Sequence, residues 1–203
     1  MVSKSSTQHE KPKRPRPSVD RIVVAAEEIF AERGYGETSL RQLMSAAGVS
    51  TTAFYSRFDS KEAVLREMVD RLLLRLREIA LASLANTTSP KTIINRAVPA
   101  LVADLAGHRS LVATALSEGM AITSIRDGLS ATYEGLVEIL AVRIGGPRKD
   151  RAALAWAFVG SLQIQIMRWA VFQDLSRIEL QKELTAMSLS LAKGMGPRRN
   201  NDA

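Results

Sequence analysis

Apolar residues recur at helical spacing along most of the chain. Ile22, Ala25, Ala26, Ile29 and Phe30 form an i, i+3, i+4, i+7, i+8 stripe, which predicts a first helix opened by Ser18 and closed by Arg33 and Gly34. Leu40, Leu43, Met44 and Ala47 place a second helix with one inward face, and Ser39 with Gln42 has the S-x-x-Q spacing of a capping box. Gly48 falls where a left-handed residue ends a helix at little steric cost, Val49 can plug the corner, and Ser50 can cap a third helix over 51–57. In that helix Ala53, Phe54 and Phe58 are the inward candidates, leaving Thr51, Thr52, Tyr55, Ser56 and Arg57 outward. Two short helices set at an angle by a glycine turn, the second presenting small polar side chains, make a helix-turn-helix reading head.

Asp59 and Glu62 have D-x-x-E spacing and are expected to cap a long fourth helix with the stripe Val64, Leu65, Met68, Val69, Leu72, Leu76 and Ile79, ending near 86–89. Pro90 after Ser89 signals the next helix, which Pro99 is expected to kink and Gly107 to end. A short helix through Leu111, Val112, Ala115 and Leu116 breaks at Gly119. Ile122, Ile125, Leu129, Leu136, Val137, Leu140 and Ile144 outline a seventh helix, stopped at 145–147. The most apolar stretch, 152–172, is expected to be buried on several sides; Gln163, Gln165 and Arg168 argue against a membrane span. Ser176 and Glu179 form another capping box before Leu180, Leu184, Met187 and Leu191. The pattern holds no strand signal and no repeat, so the fold is expected to be all-α with about nine helices. Its divisions are a disordered basic arm at 1–17, a head at 18–64, a helical body at 65–195 and a flexible tail at 196–203.

With 46% hydrophobic residues, 203 residues suffice to bury a core. Zero cysteines exclude disulfides, thiolate zinc sites and cysteine nucleophiles, and fit a reducing cytoplasm. Residues 1–10 lack an apolar segment, so no secretory signal is expected. The net charge of +7 is unevenly placed: residues 1–17 carry +4, residues 18–65 carry −2 and the remainder +5. The head is therefore not itself basic, and any attraction for phosphates must come from placed side chains, with the arm adding a diffuse contribution.

None of the H-E-x-x-H, G-x-S-x-G, Walker A or G-x-G-x-x-G sequences occurs, and His9 and His108 are the only histidines, so no catalytic residue, metal site or cofactor is expected. From Ser18 onward the order of signals resembles the DNA-binding domain of TetR-family regulators. Those signals are Ala-x-x-x-Phe and a glycine in helix 1, Thr-Ser opening helix 2, Ala-Gly-Val-Ser at the turn, Phe-Tyr-x-x-Phe in helix 3 and Lys-Glu opening helix 4. Two places depart from the family pattern: Thr52 stands where glycine is frequent, and Phe54 where leucine is frequent.

The resemblance implies a cytoplasmic, ligand-responsive repressor that binds a palindromic double-stranded DNA operator as a homodimer, without membrane association. On that reading Arg41, Thr51 and Thr52 reach base edges while Ser39, Tyr55 and Lys61 hold phosphates. A small, mostly apolar effector would be lined by Leu76, Leu101, Leu105, Leu116, Met120, Tyr133, Trp156, Gln163 and Met167, with plain core packing the alternative for each. The dimer is expected on the stripe from Leu180 to Leu191 together with 152–172. A small helical metabolite carrier or enzyme without DNA binding is the alternative function.

Overall fold

The stripe of the first helix is buried from Ile22 to Phe30 in α1 (Val19–Arg33), which ends at Gly34 with a φ of +86°. In the computed structural model, residues 19–143 and 148–194 are described; the arm, the Ser18 cap, Ile144, the 145–147 stop and the tail lie outside them. α2 (Leu40–Ala46) and α3 (Thr51–Tyr55) follow, then α4 (Lys61–Ser83), α5 (Pro90–Gly107), α6 (Arg109–Ser117), α7 (Thr123–Arg143), α8 (Arg148–Met167) and α9 (Arg177–Gly194). A 3₁₀ turn, Gly119–Ala121, joins α6 to α7, and a π-helical turn, Arg168–Phe172, extends α8. No strand occurs among the described residues. Helix α5 runs unbroken through Pro99, with proline at its first turn and Ser89 accepting from the Thr92 amide at 3.5 Å.

One core runs from the head into the body. Helix α4 carries it: Val64, Leu65, Met68, Val69 and Leu72 are buried, and the helix packs against α1 at one end and α5, α6 and α7 further along. Helix α6 touches α1 as well, and His108 at its start is hydrogen-bonded through Nδ1 to Glu27 of α1. A smaller cluster, Val137, Ala155 and Val159, closes α7 on α8 with Leu191 of α9 against it.

Four expectations are corrected. Helix α4 is capped by Ser60, whose hydroxyl accepts from the Ala63 amide at 3.1 Å. The capping oxygen must lie three residues before the amide it meets, and since the helix begins at Lys61, Asp59 stands one place too early. The 152–172 stretch is not buried on several sides within one chain, because Leu154, Trp156, Ile164 and Phe172 are 44–59% exposed. The stripe of α9 is not free for a partner at its start: Leu180 and Leu184 belong to the main core, with α9 packed along α5. Leu136 of α7, expected inward, is 38% exposed.

Candidate nucleic-acid interface

The turn of the head is built by local chemistry. Gly48 takes a φ of +59°, the Val49 amide donates to the Met44 carbonyl at 3.0 Å and the Gly48 amide to the Ser45 carbonyl at 3.0 Å, the paired bonds of a Schellman motif. Val49 and Met44 both pack against the core, supplying the apolar contact that accompanies it. Arg21 of α1 donates to the Gly48 carbonyl at 3.3 Å, tying the first helix to the corner. Ser50 then caps α3 by accepting from the Ala53 amide at 3.2 Å. Phe54 is fully buried, with Phe58 6.0 Å away, so α3 is anchored from below and its opposite face is set.

That face carries Thr51, Thr52, Tyr55, Ser56 and Arg57, all exposed, as is Arg41 on α2. The Ser56 hydroxyl is turned back onto the Ala53 carbonyl at 2.8 Å. Tyr55 stands edge-on to Phe54 at 5.6 Å, which fixes its ring while half of the residue stays open to solvent. Arg41 and Arg57 have no partner among the described residues, so two guanidiniums stand free on the reading side. The sequence placed Arg57 outward without giving it a role.

Ser39 and Lys61 are more committed. The Ser39 hydroxyl accepts from the Gln42 amide at 3.3 Å and donates to Gln42 Oε1 at 2.7 Å, and the Ser39 amide donates to the same oxygen at 2.8 Å. Lys61 Nζ donates to the carbonyls of Tyr35 at 2.7 Å and Thr38 at 2.8 Å and lies 4.2 Å from the centre of the Tyr35 ring. It thereby fastens the α1–α2 connection to the start of α4 and keeps one of its three donors in hand. Beside it is an open hollow of about 470 Å³ lined by Glu37, Ser39, Tyr55, Asp59, Lys61 and Glu62 among others. Three carboxylates against one ammonium make its interior a poor seat for an anion. The Glu62 carboxyl is held below its ordinary pKa, chiefly by its own backbone amide and then by the Ser60 hydroxyl, so it stays charged. Burial, with Glu62 and Glu118 nearby, raises the pKa of Tyr35.

The ligand-lining candidates are only partly brought together. Leu105 is core, Leu76, Leu116 and Tyr133 pack against that core, and Leu101, Gln163 and Met167 are half-buried. Tyr133 also touches the smaller α7–α8 cluster and so stands between the two, where burial raises its pKa. Met120 and Trp156 are 37% and 45% exposed and close no interior wall of the single chain.

A buried three-helix head whose glycine-turned pair presents unpaired polar side chains defines a helix-turn-helix protein. Residues 22–68 match the model of the bacterial regulatory proteins of the tetR family. The chain is 27% identical over 132 residues to the HTH-type transcriptional regulator UidR of Escherichia coli, covering 64% of this chain and 65% of UidR. It is 33% identical over 77 residues to the HTH-type transcriptional repressor KstR2 of Rhodococcus jostii, covering 36% of this chain and 38% of KstR2. It thus spans less than two thirds of the length of either. Among solved structures, a putative TetR-family regulator from Syntrophomonas wolfei superimposes with a TM-score of 0.72 at 16% identity, covering 89% of this chain and 97% of that one. FadR of Bacillus subtilis, solved in complex with stearoyl-CoA, gives 0.67 at 17% identity over 87% and 99%. Over residues 22–68 the chain is thus similar to the tetR family of bacterial regulatory proteins, and over most of its length it shares the fold of TetR-family regulators. No helix among the described residues is long and apolar enough to cross a membrane.

Proposed function

We propose that this protein is a DNA-binding transcriptional regulator, a repressor that grips a palindromic operator as a homodimer and lets go when a small, mostly apolar molecule enters its body. The observation that carries the DNA reading is the set of exposed donors, Arg41, Thr51, Thr52, Tyr55 and Arg57, held on a helix pair with a Schellman corner and a buried Phe54 anchor. Arg41, Thr51 and Thr52 serve base edges; Tyr55 and the remaining proton of Lys61 serve backbone phosphates at the mouth of the hollow, outside its carboxylates. The exposed apolar side chains of α8 and its π turn, Leu154, Trp156, Ile164 and Phe172, support a dimer, since exposed apolar area seeks cover. Two-fold symmetry then requires half-sites about 34–36 Å apart.

Control passes through α4, which begins one residue after the Ser60 cap and runs on to half-buried Leu76. Helix α6 provides a second link, joined to the head by Glu27 and His108 at its start, with Glu118, just past its end, approaching Gly36. FadR of Bacillus subtilis, solved in complex with stearoyl-CoA, is an example of this fold with a ligand that carries a long apolar chain.

Selection of bound sequences from a random DNA pool tests the reading. An inverted repeat should emerge, and binding should weaken steeply with salt. A pool that fails to enrich any sequence would refute it.

A further inference from the structure

The Ser39 and Gln42 box does more than start a helix. A backbone amide can only donate, so the oxygen it meets in the Gln42 carboxamide is fixed as Oε1 without ambiguity, and the Ser39 hydroxyl donates to that same oxygen. Both lone-pair directions of Oε1 are thereby used. The Nε2 group is turned to the far side of a carboxamide plane held at two points, and it meets no acceptor among the described residues. Ser39, by contrast, has spent its whole donor inventory: its amide and its hydroxyl proton both go to Gln42. A phosphate offers only acceptors, so it gains nothing from Ser39 unless the box breaks.

The surroundings decide what Nε2 suits. Ser39 and Tyr55 share the rim of the hollow, so the box lies beside the reading helix, and the hollow behind them carries Glu37, Asp59 and Glu62 against Lys61 alone. A phosphate drawn to this rim therefore meets neutral donors rather than a cluster of cations. The first helix of a helix-turn-helix pair crosses the DNA backbone, which puts phosphate oxygens within reach of α2.

We infer that Gln42 is a DNA-backbone contact, donating from Nε2 to one phosphate per half-site, and that Ser39 is the positioning residue that aims it. The inference rests on the DNA-binding reading above. A neutral donor releases no counterion, so this contact adds affinity without steepening the salt dependence, unlike a lysine or arginine.

The test uses the full-length protein and the sequence selected from the random pool. Gln42→Ala should bind that site roughly ten-fold more weakly, the scale of one hydrogen bond to a charged group, with the log-log salt slope unchanged. Gln42→Glu keeps an acceptor for the Ser39 amide, and so keeps the box and the melting temperature, but should bind at least as weakly as the alanine variant. Ser39→Ala should weaken binding by less, and adding it to Gln42→Ala should cost nothing further. Operators carrying a single neutral methylphosphonate are then scanned along the backbone. At one position per half-site the substitution should weaken the wild type and leave Gln42→Ala unaffected, a coupling that a purely structural role for the cap would not produce. If Gln42→Ala binds as tightly as the wild type, or if its deficit is the same at every methylphosphonate position, the inference is wrong while the DNA reading stands. If the wild type enriches no sequence at all, the DNA reading fails and takes the inference with it.

Discussion

The head and the far end of the body expose opposite kinds of surface. Around α2 and α3 the apolar side chains are inside and what faces outward is a set of polar groups, several without partners: Arg41, Thr51, Thr52, Tyr55 and Arg57. Along α8 and its π turn what faces outward includes the large apolar side chains of Leu154, Trp156, Ile164 and Phe172. Unpaired donors are satisfied by acceptors, and exposed apolar area by apolar area. The same chain therefore asks for two unlike partners at its two ends, and substitutions can be sorted by which surface they touch.

The largest effect is expected where a residue looks like partner surface and is not. Leu184 is 6% exposed and packs in the main core, so Leu184→Glu sets a carboxylate among apolar groups at a cost on the order of 4 kcal/mol, a large share of a typical domain's stability. It should lower the melting temperature sharply and cost helical content by circular dichroism. Trp156→Glu with Phe172→Glu touches outward side chains only, so helical content should persist while sedimentation shows a monomer. A dimer that survives this pair would move the interface off α8.

At the head, Arg41→Ala should remove about 1–3 kcal/mol of discrimination between the selected site and its variants, because a guanidinium grips guanine with two hydrogen bonds. Affinity for random DNA should fall much less. Equal losses on both would place Arg41 on phosphates instead. A smaller change, about 1 kcal/mol of stability, is expected for Ser60→Ala, which removes the cap of α4; Asp59→Ala should leave thermal stability nearly unchanged. The opposite order in a melting experiment would restore Asp59 as the cap.

The head was legible in the sequence because its geometry is made by near neighbours. Ser39 with Gln42, Ser50 with Ala53, and Gly48 each act within four residues, and spacing alone reveals them. The cap of α4 slipped by one place because two overlapping spacings, Asp59 to Glu62 and Ser60 to Ala63, were both available, and only the first helical residue decides between them. Long-range pairings left no local trace: Lys61 is held by carbonyls 26 and 23 residues earlier, and His108 by Glu27, 81 residues away. In the body, periodicity identified the stripe of α9 but not the neighbour that covers it. Leu180 and Leu184 turn out to lie against their own chain, and the π turn after Met167 carries no periodic signature.

The gentlest test compares the two capping boxes themselves. In the head the Ser39 amide is held by a carboxamide, which does not titrate, whereas in the body the Ser176 amide donates to Glu179 at 2.7 Å and the Glu179 amide to the Ser176 hydroxyl at 3.2 Å. The backbone and hydroxyl of Ser176 hold the Glu179 carboxyl below its ordinary 4.5. A carboxyl whose folded pKa is depressed stabilises the folded state at pH values above its unfolded pKa, and that contribution fades as the pH falls through the lower, folded value. Acidification from neutral pH to below 4.5 should therefore open the start of α9 while leaving the start of α2 shut. Amide hydrogen exchange, corrected for the intrinsic pH dependence of exchange, should show protection falling at Ser176 and holding at Ser39. Glu179→Gln, which gives the body the same neutral box as the head, should make the two amides respond alike. If Ser176 loses its protection on acidification with glutamine in place as steeply as with glutamate, the carboxylate is not what closes that turn.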